Sequence, residues 1–429
     1  MFFYLLATAV FMIQCFLMLL IYFNEQKPSK NKLKNSNSQN IPTDEFFYFI
    51  LVPCLNEGKV IQNTLKNLSN LPGRKQIIAI DDDSDDDTLE QIQALGNSIA
   101  IIQRQKPNAR TGKGDVLNAA MPFVTNYIQE QQLDPNKCIV GVIDADGVLS
   151  PNSFDKLNEA FLDNTTDAVQ LRVKMKSPRR VLQTFQDIEF FIINHLTQIL
   201  RSNIGAVALC GNAQFFRYST VTAKLGYIPW GNALLEDYEL TLQLELKGLK
   251  IRYIGEAYVS QEALLSVKKL IVQRSRWAQG GLNCWKYLKR IVTSKEMSTP
   301  QKLDTYFFFF NPVLNFLADF SIIYLTITSI LSHDKNPEFI VVALIASAII
   351  GLFFGTIFSL IYLRELRLTH KNHLTINKAD VSYLRLHAGH LFLAIALVSY
   401  VYVILFFSLL MSLYHQVIGQ NTWVKTKRV

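Results

Sequence analysis

Charge is scarce in this chain. Asp, Glu, Lys and Arg make up 18% of the 429 residues, against roughly 25% in soluble globular domains. Apolar residues reach 49% and the mean hydropathy is +0.16. Those values exclude a disordered or fibrous chain, and a cytosolic enzyme of uniform composition. The five cysteines, Cys15, Cys54, Cys138, Cys210 and Cys284, contain no CxxC pair. Neither a zinc site nor a disulfide framework is therefore expected, and a reducing compartment fits. A GxxxxGK[ST] loop is also missing, which removes the main support for an ATPase. Basic residues outnumber acidic ones, 43 to 35, for a net charge of +8. Beside long apolar runs, that surplus points to an anionic membrane surface and away from nucleic acid.

The apolar residues gather at the two ends. Phe2 to Phe23 holds no charge and exceeds the roughly 20 residues a membrane-crossing helix needs. No small-residue cleavage site follows, so residues 1–24 are expected to be a retained anchor. Thr305 to Leu331 holds one charge, Asp319, while Phe339 to Leu363 and Leu391 to Tyr414 hold none. Three further transmembrane helices are expected within 305–414. Lys27, Lys30, Lys32 and Lys34 follow the first span, and Arg364, Arg367, Lys371, Lys378 and Arg385 fill the loop 364–390; only Lys335 lies in the other turn. This asymmetry places the central domain and the long loop in the cytoplasm. The tail 415–429, with Lys425, Lys427 and Arg428, does not follow the same rule. Residues 25–44 read as a polar linker.

Between the ends, residues 45–260 alternate short β-branched runs with polar helical stretches, the pattern of an α/β domain. From Arg179 to Arg201, Leu182, Phe185, Ile188, Phe191, Ile192, Leu196 and Ile199 recur at helical spacing between basic ends. Such a helix suits a membrane surface or the core of the domain equally. Residues 261–304 have the same two readings.

Three apolar strands end in polar residues. Phe47 to Val52 runs into Asn56-Glu57, Gln76 to Ile80 into a run of six aspartates within seven residues (Asp81 to Asp87), and Ile139 to Ile143 into Asp144-Ala145-Asp146. Buried strands that deliver acids at their carboxyl ends describe a parallel sheet with a ligand crevice there. Two carboxylates flanking a small residue suit a hard divalent cation shared with phosphate oxygens. Lys113, between Gly112 and Gly114, adds a flexible cation for such phosphates. Glu236-Asp237 opens a helical stretch, where acids also serve as caps. On a helix, Gln273, Arg276 and Trp277 share one face. A guanidinium there suits a diphosphate and an indole suits a sugar ring, although a basic helix at a membrane surface has the same composition.

Taken together, Asp81-Asp82, Asp144-Ala145-Asp146, Glu236-Asp237 and Gln273-Arg274-Ser275-Arg276-Trp277 resemble, in order and spacing, the motifs of membrane-embedded family 2 glycosyltransferases of the processive type. These include cellulose, hyaluronan, chitin-oligosaccharide and poly-N-acetylglucosamine synthases. Pro53 to Glu57, Lys113 with Leu117-Asn118, and Gly211 to Arg217 add to the match. The resemblance implies a GT-A-like α/β fold, a mostly parallel sheet with flanking helices, plus transmembrane helices at both ends. It implies an inverting β-glycosyltransferase that uses a UDP-sugar, UDP-N-acetylglucosamine or UDP-glucose, to elongate and extrude a polysaccharide. A glycolipid glycosyltransferase adding one sugar to a membrane lipid is the alternative. By the same resemblance, Asn56, Glu57, Asp81, Asp82, Lys113 and Asp144 contact the nucleotide, and Asp144 and Asp146 hold magnesium or manganese. Asp237 is the general base, Gln273, Arg274 and Arg276 brace the diphosphate, and Trp277 and Glu236 meet the acceptor. Membrane lipids are expected partners, an accessory subunit is left open, and a bacterial plasma membrane is the expected location. Leu235 stands where relatives often have Thr, and the single amino-terminal anchor is fewer than several relatives have.

Overall fold

The structure, a computed structural model, describes residues 2–25, 45–332, 338–371 and 404–419. Most of the expected linker 25–44, residues 372–390 of the expected loop, residues 391–403 of the expected fourth span and residues 420–429 of the tail lie outside them.

Eight strands form one sheet: β1 Phe47–Cys54, β2 Arg74–Asp81, β3 Ile99–Gln103, β4 Cys138–Val142, β5 Val148–Leu149, β6 Ala168–Met175, β7 Gln214–Arg217 and β8 Ile251–Gln261. Their order is β3-β2-β1-β4-β7-β6-β8-β5. β1 pairs in parallel with β2 and β4, and β2 with β3. β7 runs against both β4 and β6, and β5 runs against β8. The sheet is thus mixed, with β5 and β7 reversed in an otherwise parallel set.

Strand β1 shows why the layer forms. Its apolar side chains are covered on both faces, alternating with the pleat. Tyr48, Ile50 and Val52 meet Ile61, Leu65, Phe154 and Phe161 on one side. Phe49 and Leu51 meet Leu117, Met121, Val124 and Leu240 on the other. Each such side chain, wholly removed from water, contributes about 1.5–3 kcal/mol. The register sets Cys54 opposite Asp81, so the loops after β1 and β2 emerge at the same edge.

Among the described residues, three helices are long and apolar enough to cross a membrane: Phe2–Asn24, Thr299–Thr328 and Val341–Leu368. Near the end of the described residues, Phe406–Val417 forms a 12-residue helix. The Arg179 to Arg201 stretch forms a helix Val181–Asp187, a π-helical turn Ile188–Asn194 and a helix His195–Ile204. It is wedged between the sheet and the apolar helices: Ile188, Phe191, Ile192 and Leu196 pack with Cys15, Met18 and Tyr22 and with Phe354, Phe358 and Tyr362. The Tyr362 hydroxyl donates to Asp187 Oδ2 at 2.6 Å, while Asp187 Oδ1 accepts from Met175 N on β6 at 2.7 Å.

Candidate active site

The loops after β1 and β2 are stitched together. Asn56, at φ 54°, donates its backbone N–H to Ser84 Oγ at 3.0 Å and accepts from Asp85 N at 2.7 Å. Glu57 N donates to Thr88 Oγ1 at 2.7 Å. The aspartate run is offset by cations that sequence reasoning did not assign. Arg110 lies 2.6 Å from Asp85 and 3.5 Å from Asp83. Arg104 lies 2.6 Å from Asp82, whose side chain is 1% exposed. Burial raises the Asp82 carboxyl, and the Arg110 backbone and Arg104 pull it back. Asp81 Oδ1 and Asp82 Oδ2 are buried without a hydrogen-bond partner among the described residues. An unmet buried acceptor costs about 1–3 kcal/mol, so both oxygens suit an incoming N–H.

Lys113 opens the Lys113–Asn118 helix. Its Nζ reaches Asp144 Oδ1 at 2.6 Å, the Gly211 carbonyl at 3.1 Å and Glu236 at 3.5 Å. Burial works against its charge, but Asp144 and Glu236 raise it overall. Glu236 and Asp237 lead the Glu236–Glu245 helix. Gly211, at φ 74°, lets its loop close on them, since a Cβ there would stand 2.9 Å from Asp237 Oδ2. Burial first, and the Glu236 charge second, lift the Asp237 carboxyl to about 7. Its Oδ1 accepts from Tyr238 N at 2.7 Å.

The Val267–Asn283 helix brings in Gln273 to Trp277. Burial lowers Arg276, opposed by Glu236, Asp144 and Asp237. Arg274 pairs with Glu189 at 2.6 Å, donates to Gln273 Oε1 at 2.9 Å and lies 4.0 Å over the Trp277 ring.

One cavity of about 840 Å³ joins these groups. Its wall includes Glu57, Asp82, Lys113 and Asp144 with Asp237, Gln273, Arg276 and Trp277. The apolar helix Thr299–Ser332 adds Asn311, Asn315 and Asp319 to the same wall. These three stand at i, i+4 and i+8, a polar stripe on one helix face; the sequence offers Asn311 as a candidate lining of a path and Asp319 as a carboxylate that must face protein or water, and does not single out Asn315. Asn56, Asp81 and Asp146 are not among the residues that line the cavity: Asn56 is exposed, Asp81 is buried, and Asp146, 2% exposed, accepts from Glu262 N at 2.8 Å. Among the described residues no group of three or more His, Cys, Asp or Glu converges as a metal site. Two hard carboxylates still fit a divalent cation that takes its remaining ligands from diphosphate oxygens and water.

Comparison with known proteins bears on the family and the fold. The poly-beta-1,6-N-acetyl-D-glucosamine synthase of Staphylococcus aureus is 28% identical over 284 residues, covering 65% of this chain and 65% of its own length. The beta-monoglucosyldiacylglycerol synthase of Nostoc sp. is 26% identical over 268 residues, covering 61% of this chain and 54% of that protein. The chain thus spans between about half and two-thirds of these relatives. A mannosyltransferase from Pyrobaculum calidifontis, solved with GDP-Man and Mn2+, shares the fold with a TM-score of 0.54 at 15% identity, over 92% of this chain and 98% of its own. The family model "Glycosyltransferase like family 2" matches residues 45–280, more than half of the sequence, and the chain belongs to that family.

Proposed function

We propose that this protein is a membrane-embedded, inverting hexosyltransferase that passes a sugar from UDP to an acceptor hydroxyl and elongates a β-linked polysaccharide. The observation that carries the reading is a cavity whose wall joins Lys113, Asp144 and Asp237 to residues of the apolar helices, which we read as the acceptor arm. The nucleotide base meets Asp82 on the cavity wall and Asp81 beside it, one buried oxygen of each lacking a donor. Arg276 and Lys113 hold the diphosphate, with Gln273 beside them. Asp237 accepts the proton of the acceptor hydroxyl; that oxygen bonds to the anomeric carbon as the bond to UDP breaks on the opposite face, which inverts the centre. A carboxyl near 7 is matched to this task at neutral pH. Asp144 and Asp146 would hold magnesium or manganese, which when bound supplies a Lewis acid that offsets charge on the departing diphosphate. Trp277 offers its ring to the terminal sugar and Glu236 borders it. Phe2–Asn24, Thr299–Thr328 and Val341–Leu368 cross a bacterial plasma membrane, with the sheet domain on the cytoplasmic side.

A glycolipid product is the second reading. Phe316, Phe354 and Phe358 on the cavity wall favour it, because they suit an acyl chain as well as the polar stripe suits a glycan. The test uses protein in nanodiscs with Mg2+ or Mn2+ and radiolabelled UDP-sugars, the products being split into a chloroform phase and a high-molecular-weight fraction. Label in polymer supports elongation, and label confined to chloroform replaces it with single addition to a lipid. No label in either, with UDP still bound, would remove the autonomous transferase reading.

A further inference from the structure

The motif Gln273 to Trp277 contains two arginines that the structure treats differently. Arg276 lies within the field of Glu236, Asp144 and Asp237. The Arg274 side chain, 4% exposed, faces the π-helical turn, where Glu189 meets its Nη2 at 2.6 Å. Its guanidinium lies 4.0 Å over the Trp277 ring, and the neighbouring Phe190 meets that ring edge-on with centroids 5.9 Å apart at 84°. Arg274 also lies 5.5 Å from Phe190 and donates to Gln273 Oε1. An indole alone on a helix has rotamer freedom. Here a charged plane covers one face and an aromatic edge the flank, both supplied or held by two consecutive residues of the π-turn.

From this geometry we infer that Glu189 is a positioning residue: it orients Trp277 for the acceptor by fixing Arg274 over the indole. Arg274 therefore belongs to the platform and leaves the diphosphate to Arg276 and Lys113. The inference rests on the reading of Trp277 as the acceptor platform. A carboxylate–guanidinium pair of this kind is planar and directional, so an amide at 189 keeps the shape and loses the grip.

The test compares wild type, Glu189→Gln, Glu189→Asp and Arg274→Lys, all in nanodiscs. UDP binding by calorimetry reports both folding and the diphosphate site. Glu189→Gln is expected to keep the UDP Kd within about twofold while the acceptor KM rises about tenfold at unchanged donor KM, the split expected when only acceptor binding is lost. Glu189→Asp recovers part of that loss. In protein labelled with 5-fluorotryptophan, the 19F resonance of Trp277, assigned through Trp277→Phe, shifts and broadens in Glu189→Gln. A tenfold loss of UDP affinity in Arg274→Lys would overturn the inference, because Arg274 would then serve the diphosphate. An unmoved Trp277 resonance would overturn it as well. If wild type transfers sugar from no donor while the resonance still moves, the positioning role stands and the transferase reading falls.

Discussion

Burial and two charged neighbours set when Asp237 can act as a base. Burial and Glu236 raise its carboxyl to about 7, and Lys113 opposes them. Only the carboxylate accepts a proton, so transfer should fall about tenfold per pH unit below that value and level off above it. Glu236→Gln removes a like charge and should move the limb to lower pH. Lys113→Met removes the opposing cation and should move it higher, while also weakening UDP binding. Rate profiles of the three proteins between pH 5 and 9 check both signs, since the two shifts must run in opposite directions. Asp237→Asn is expected to lower kcat about 10²- to 10⁴-fold, with UDP affinity retained in a filter-binding assay. The acids Glu57, Asp81, Asp82, Asp144 and Asp146 were legible from residue order, because each follows an apolar strand, while Glu236 and Asp237 stand at a helix start and gained a role only through the resemblance. Arg104 and Glu189 were not legible: they lie 22 and 85 residues from their partners Asp82 and Arg274, and local periodicity carries nothing across that distance.

At the scale of elements, glycine at position 141 of β4 is dictated by its neighbour. A Cβ there would stand 2.4 Å from the Phe215 ring on β7, between strands paired at Gly141 and Phe215. Gly141→Ala should destabilise the domain by about 1–3 kcal/mol through overpacking, measured as a lower thermal midpoint in detergent. Gly141→Ala with Phe215→Leu should recover part of the loss. The direction of β7 could not be read in advance, since a short, wholly buried strand has the same composition either way round. The π-turn was hidden for a related reason. Its apolar residues keep nearly helical spacing, and nothing in Ile188–Asn194 marks the wider hydrogen-bond ring. The parallel core β1, β2 and β4 was legible because its runs are continuous and end together in acids.

At the scale of the whole molecule, the cavity predicts that the two ligands can be separated by mutation. Asn315 lines the cavity from the apolar helix Thr299–Ser332, the part of the wall read above as the acceptor arm. Asn315→Trp should block the acceptor and cut product formation more than about tenfold, while UDP affinity stays within about twofold. Radiolabel transfer and calorimetry on one preparation measure both. Equal loss of the two would show that the arm does not serve the acceptor. The same chamber also has a schedule. Its wall takes Tyr4, Thr8 and Gln14 from the first helix and Ser347, Ser408 and Leu409 from far later, and Tyr4 closes onto Ser347 at 2.6 Å. At the roughly 5–20 residues per second of translation, tens of seconds separate the synthesis of those two walls. Once residue 237 is made, the nascent protein has its aspartates but no finished room for an acceptor, so on the proposed function sugar transfer waits until helix Phe406–Val417 is in place.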